Sequence, residues 1–236
     1  MTAPLLFIRK QPARVWRLPG VYRPQEDSFL LAQAMAESWG TDDARVLDFC
    51  TGTGFLAVTA ADLGAASVTA VDISSRAVLT ARLNVRARGL SVRVVRGDLG
   101  AAARSGPFDV VLSNPPYVPH ENGDSDPRWD AGPDGRRILD PLCDELPTLL
   151  SSKGFALIVQ SEFSGVDATL DRLQCGGLKA AVVARQSIPF GPVLRSRVRY
   201  LREVRLADEE AAQEEVVVIR AERTRTGGEA DGVADA

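Results

Sequence analysis

Histidine occurs once in the 236-residue chain, at His120, which removes most metal chemistry and leaves a nucleophile–histidine triad a single candidate base. The three cysteines, Cys50, Cys143 and Cys175, have no CxxC spacing, so neither a structural zinc site nor a disulfide framework is expected. Cys143 and Cys175 read as free thiols packed in helices. Lysine is confined to Lys10, Lys153 and Lys179, so nearly all positive charge is arginine. The net charge of −3 lacks the basic excess of a dedicated nucleic-acid binder. Arginines do cluster at Arg82 to Arg96 and Arg195 to Arg205, the first alternating with apolar residues as on a solvated helix face. No stretch of about 18 uncharged apolar residues occurs, and the first residues lack the apolar core of a signal peptide. The expectation is a cytoplasmic protein with no membrane segment and no metal.

What is present is an alternation of short apolar runs and helical patterns, the signature of a mostly parallel sheet covered on both faces. The length suits one α/β core. Strands are expected at Arg45–Phe49, Ser67–Val71, Ser91–Val95, Phe108–Ser113, Gly154–Gln160, Leu178–Arg185 and Glu215–Ala221. Helices are expected at Gly54–Leu63, Ser75–Arg88, Arg136–Leu150 and Gly165–Leu173. An earlier helix, Gln25 to Trp39, starts behind the acidic Glu26-Asp27-Ser28. This divides the chain into an N-terminal arm over 1–20, one domain over 21–223, and a Gly- and acid-rich tail over 224–236 that reads as disordered.

The first strand runs into Asp48-Phe49-Cys50-Thr51-Gly52-Thr53-Gly54, where glycines allow a tight turn and a helix N-terminus offers free N–H groups to a ligand. The second strand ends at Asp72-Ile73, about 20 residues on, where this fold class places a carboxylate against ribose hydroxyls. The third ends in Gly97-Asp98-Leu99, a carboxylate for an adenine amino group and a leucine to cover the ring, or else a simple helix cap. These features suit either NAD or S-adenosylmethionine. Cys50 stands where the dinucleotide fingerprint has its first glycine, its third glycine has no counterpart, and Asp48 would repel a pyrophosphate while attracting the amino group of a sulfonium cofactor. S-adenosylmethionine fits better.

The fourth strand ends in Ser113-Asn114-Pro115-Pro116-Tyr117. The Asn114 side-chain oxygen and the Pro115 carbonyl can accept hydrogen bonds from one NH2 group, the two prolines stiffen the loop, and Tyr117 offers a stacking face for a planar amide or base. Methyl transfer to such a nitrogen needs positioning more than a strong base. Asn-Pro-Pro-Tyr in this place resembles the signature of class I methyltransferases acting on amide or exocyclic nitrogens. Val21-Tyr22-Arg23-Pro24-Gln25-Glu26-Asp27-Ser28-Phe29-Leu30-Leu31 and Trp129-Asp130-Ala131-Gly132-Pro133-Asp134-Gly135-Arg136 are similar to segments of the HemK-related branch best known from eukaryotes and archaea.

That resemblance implies a Rossmann-like class I fold with a seven-stranded sheet, and S-adenosylmethionine as cofactor. It implies Ser28 as a cofactor contact, a glutamine side chain in a protein such as a translation release factor as substrate, and a small activating subunit as a possible partner. A DNA or RNA amino-methyltransferase using the same residues is the alternative. The expected catalytic residues are Asn114, Pro115, Pro116 and Tyr117. Those expected at the cofactor are Ser28, Asp48, Cys50, Thr51, Gly52, Gly54, Asp72, Ile73, Asp98, Leu99 and Asn114. The segments Tyr22–Ser28 and Trp129–Gly135 are expected to close over opposite sides of the catalytic loop, with a rim that is not uniformly basic.

Overall fold

The computed structural model describes residues 14–38, 43–121 and 126–223. The proposed tail, Trp39 and most of the arm lie outside these residues. Seven strands form one sheet in the order β3-β2-β1-β4-β5-β7-β6: β1 Arg45–Phe49, β2 Ser67–Asp72, β3 Val92–Arg96, β4 Phe108–Ser113, β5 Leu150–Ser161, β6 Leu178–Pro189 and β7 Gln213–Arg223. β1 to β5 pair in parallel, and β7 runs antiparallel between β5 and β6. This is the Rossmann-like class I arrangement, and the chain reverses its direction of winding between β1 and β4, where open α/β sheets bind ligands.

Alternation along the strands sends side chains to two separate cores. Val46, Val110, Leu112, Leu157 and Val218 face α1 (Glu26–Ser38), α2 (Phe55–Asp62) and α3 (Ser75–Ala87). Leu47, Phe49, Val111, Ile158 and Ile219 face α5 (Leu139–Leu149) and α6 (Val166–Cys175), with α4 (Leu99–Ala103) on the same side. The central strands are buried on both faces, which is why they read as unbroken apolar runs rather than alternating ones.

Two helices were not expected from the sequence. The single-turn α4 follows Asp98, and α7 (Pro192–Glu203) fills the connection between β6 and β7. Proline at its first turn starts α7, and Leu194 and Leu201 bury one side of it. β5 also starts four residues before the expected Gly154, and β6 runs four beyond Arg185. The described part of the arm, from Arg14 to Gly20, forms no strand. It is pinned by the buried Asn84, whose amide exchanges hydrogen bonds with the Trp16 backbone (2.7 and 2.9 Å) and donates to the Thr53 carbonyl (2.9 Å). Among the described residues no helix is long and apolar enough to cross a membrane.

Candidate active site

The glycine turn is held from beneath. Asp48, fully buried at the end of β1, accepts hydrogen bonds through Oδ2 from the Thr51 hydroxyl at 2.5 Å and the Ala57 N–H at 2.9 Å. Its Oδ1 is buried without a partner, and burial pushes the carboxyl up to about 7 against those two donors. Asp48 does not line the cavity above the turn, contrary to the expectation of a direct ligand contact. In this structure it braces the turn. Gly54 does not line the cavity either. Its φ of +79° and the 3.1 Å that a Cβ would leave to Ala81 make it the close approach between the turn and α3.

Gly52 does face the cavity, with no atom within 4 Å of where a Cβ would sit. Its N–H donates to Asp72 Oδ2 at 2.9 Å, and the Ser74 N–H donates to Oδ1 at 2.8 Å. Burial raises the Asp72 carboxyl despite these two bonds. Cys50 adopts φ +62°, a left-handed conformation that favours glycine. Cys50→Val, which adds a branched Cβ there, is expected to cost about 1–2 kcal/mol and lower Tm by roughly 2–8 °C, whereas Cys50→Gly keeps the fold. A thermal melt of Cys50→Val matching the parent protein would remove the strain.

A single cavity of about 1180 Å³ runs from this turn to the end of β4. Cys50, Thr51, Gly52, Asp72, Ile73, Asp98 and Leu99 line one end. Asp98 also caps α4, accepting from the Ala101 N–H at 3.1 Å. Ser28, Asn114, Pro115, Pro116 and Tyr117 line the other end. The Ser113 hydroxyl ties β4 to β1 by donating to the Phe49 carbonyl at 3.0 Å, which sets the Asn114–Tyr117 loop beside the glycine turn.

The centre of this second end is a residue the sequence reading left as a helix-start acid. Asp27, buried in the first turn of α1, accepts three hydrogen bonds on Oδ2: from the Tyr22 hydroxyl at 2.8 Å, the Tyr117 hydroxyl at 3.0 Å and Asn114 Nδ2 at 3.0 Å. Asn114 Nδ2 also donates to the Ser28 hydroxyl at 3.0 Å. A carboxylate only accepts, so the Asn114 amide has one possible orientation, with Nδ2 toward α1. No described residue donates to its Oδ1. Burial first, and then Asp27, raises both tyrosine hydroxyls well above their usual value, which keeps them as donors. Ser28 thus partners Asn114 at the cavity wall.

The Trp129–Gly135 segment is fixed to the same loop. Val118 donates to the Trp129 carbonyl at 2.8 Å and accepts from the Ala131 N–H at 3.0 Å. Gly135 has φ +73°, and a Cβ there would collide with the Tyr117 carbonyl. Trp129 carries the Arg128 guanidinium 4.1 Å above its ring. Tyr22, Pro24 to Ser28, Trp129 and Asp130 all line the cavity, whose wall carries both signs of charge, Arg128, Arg137 and Arg195 with Asp130 and Glu214.

Comparison with known proteins gives the same reading. The Methyltransferase small domain family matches residues 13–187. A protein of Methanocaldococcus jannaschii, classed by inference as a protein N5-glutamine methyltransferase, is 35% identical over 177 residues, covering 73% of this chain and 88% of that one. The release factor glutamine methyltransferase of Deinococcus radiodurans is 36% identical over 192 residues, 77% of this chain and 65% of its own length. In structure, the Mtq2–Trm112 complex of E. cuniculi, responsible for methylating the eRF1 termination factor, is similar with TM-score 0.63 at 23% identity, over 87% of this chain and 99% of that one. The chain belongs to the methyltransferase small-domain family, as a Rossmann-like class I methyltransferase whose methyl donor is S-adenosylmethionine.

Proposed function

We propose that the chain methylates the side-chain amide nitrogen of a glutamine in a protein, with a translation release factor as the substrate and the cytoplasm as the place of action. The observation that carries this is the locked Asn114 amide: Nδ2 is held by Asp27 and Ser28, which leaves Oδ1 at the cavity to accept from a substrate NH2. The Pro115 carbonyl takes the second N–H, and Tyr117 packs along the amide plane. S-adenosylmethionine supplies an electrophilic methyl group on a sulfonium. The chain's residues align the nitrogen with that methyl and exclude water, and the proton leaves the nitrogen as or after the new bond forms.

The cofactor's ribose is assigned to Asp72 and its adenine to the Asp98–Leu99 edge. Asp72 accepts from the Gly52 N–H, whose Cβ position is open, and Asp98 with the apolar Ile73 and Leu99 lines the same cavity. Asp72→Ala is expected to weaken cofactor binding by about 1–3 kcal/mol, the range for charged hydrogen bonds left unmade. Calorimetry with S-adenosylmethionine giving an unchanged Kd would take Asp72 out of the site.

The names of the relatives support a protein acceptor and a small activating subunit as partner. The mixed charge of the cavity wall favours a protein loop over a nucleic acid, whose phosphates call for basic walls. The experiment is transfer of labelled methyl from S-adenosylmethionine to a release factor, to the same factor with its Gly-Gly-Gln glutamine replaced, and to RNA and DNA, each with and without a small activating subunit. Label on the first alone is the expected result. Label on nucleic acid, or on the factor lacking that glutamine, would replace this reading.

A further inference from the structure

Glu214 has no part in the steps above, yet it lines the same cavity as Asn114 and Tyr117. It is the second residue of β7, paired in register with Ile188 of β6, and is only 7% exposed. Its Oε2 is buried and has no hydrogen-bond partner among the described residues. Among the described residues, the ionisable groups that act on it are other acids: Asp27 from α1, and Glu162 from the 3-10 turn Glu162–Ser164 after β5. Tyr22 and Tyr117 feel its charge in turn, but both donate their protons to Asp27 Oδ2. The Ser161 hydroxyl favours the ionised form without giving Oε2 a partner. Ile188 and Phe190 are also at this part of the wall, and neither side chain has a donor.

A carboxylate oxygen buried in a partly apolar wall, with no donor bonded to it among the described residues, is complete when the cavity holds a donor. Asn114 Oδ1 and the Pro115 carbonyl already account for the two protons of the reacting NH2, so the donor for Glu214 is a different group of the substrate. We propose that Glu214 is a specificity-determining residue of the acceptor site, its Oε2 taking a hydrogen bond from a second donor of the methyl acceptor. On the glutamine reading above, on which this rests, that donor is a backbone N–H of the loop that presents the side chain. Burial pushes the Glu214 carboxyl up to about 7, so it is part protonated in the free enzyme, and a bound N–H draws it to the ionised form.

The test uses Glu214→Leu and Glu214→Gln in the full chain. Methyl transfer from labelled S-adenosylmethionine is first run, with and without a small activating subunit, on a release factor, ribosomal protein and RNA, and the acceptor that the parent enzyme labels is then titrated. Glu214→Leu is expected to raise KM for that acceptor about 10–100-fold, the weight of a charged hydrogen bond, with kcat and the Kd for S-adenosylmethionine within about threefold of the parent. Glu214→Gln, which keeps an accepting oxygen without the charge, is expected between leucine and the parent and serves as the folding control. In the parent, KM rises as pH falls from 8 to 6 and Glu214 takes up its proton, and in Glu214→Gln that slope is absent. Glutamine performing no better than leucine, or a loss confined to kcat and Tm, overturns the assignment. Label on RNA instead of protein overturns the glutamine reading while the same KM comparison still decides Glu214, and an enzyme that labels none of the three overturns both.

Discussion

Asn114→Ala is expected to lower kcat about 10²–10³-fold while the Kd for S-adenosylmethionine and the Tm stay close to the parent values. Among the described residues nothing donates to Asn114 Oδ1, so on the proposed reaction its hydrogen bond forms only with substrate present, and its value is greatest as the nitrogen begins to carry positive charge. Losing it frees the acceptor nitrogen to rotate out of line with the methyl group, and positioning errors of this kind cost orders of magnitude in rate. The fold loses little, because Asp27 Oδ2 keeps its two tyrosine donors when Asn114 Nδ2 is gone. About 1 kcal/mol is the expected stability cost. Single-turnover transfer with calorimetry and a thermal melt on the same preparation check this. Activity that falls only in step with the folded fraction would make Asn114 a structural residue.

Much of the fold was legible because the central strands carry their own boundaries. Arg45–Phe49 and Phe108–Ser113 are apolar runs closed by Asp48-Phe49-Cys50 and Ser113-Asn114, and both were placed to the residue. What was missed has physical causes. α4 is one turn of Leu-Gly-Ala-Ala-Ala, too short to show a period, and is held by the Asp98 cap. α7 did carry a signal, with Pro192 at its start and Leu194, Val198 and Leu201 at helical spacing. The arginines between them drew the segment into a charge-cluster reading instead.

Most of the residues that line the cavity were legible in the sequence, and the hydrogen bonds among them were not. Asp48 was placed against the cofactor because it ends the strand that leads into the glycine turn. At that position its carboxylate faces the free N–H of Ala57 in α2 and the Thr51 hydroxyl, and they take it up. Asp27 looked like an acid complementing a helix dipole. Its function as an anchor depends on Asn114 and Tyr117 arriving from 87 and 90 residues away, and no local pattern contains that distance.

Asp27→Ala is therefore the substitution expected to disturb both stability and turnover. Five donors lose their acceptor at once, the Ser28 N–H and hydroxyl on Oδ1 and three groups on Oδ2, two of these tyrosine hydroxyls in buried or half-buried surroundings, and the expected loss of folding stability is about 2–5 kcal/mol. At temperatures where the variant is fully folded, kcat is expected to fall about 100-fold, since the Asn114 amide is then free to turn and present Nδ2 in place of Oδ1. A purely structural residue would also lower activity, so the deciding measurement is a double-mutant cycle with Asn114→Ala. If Asp27 acts through Asn114, adding Asp27→Ala to Asn114→Ala costs little further rate, because the orientation it enforces no longer has a group to orient. Rate losses that simply multiply, each substitution costing its full factor in the presence of the other, would show that Asp27 serves the site by some route other than the asparagine.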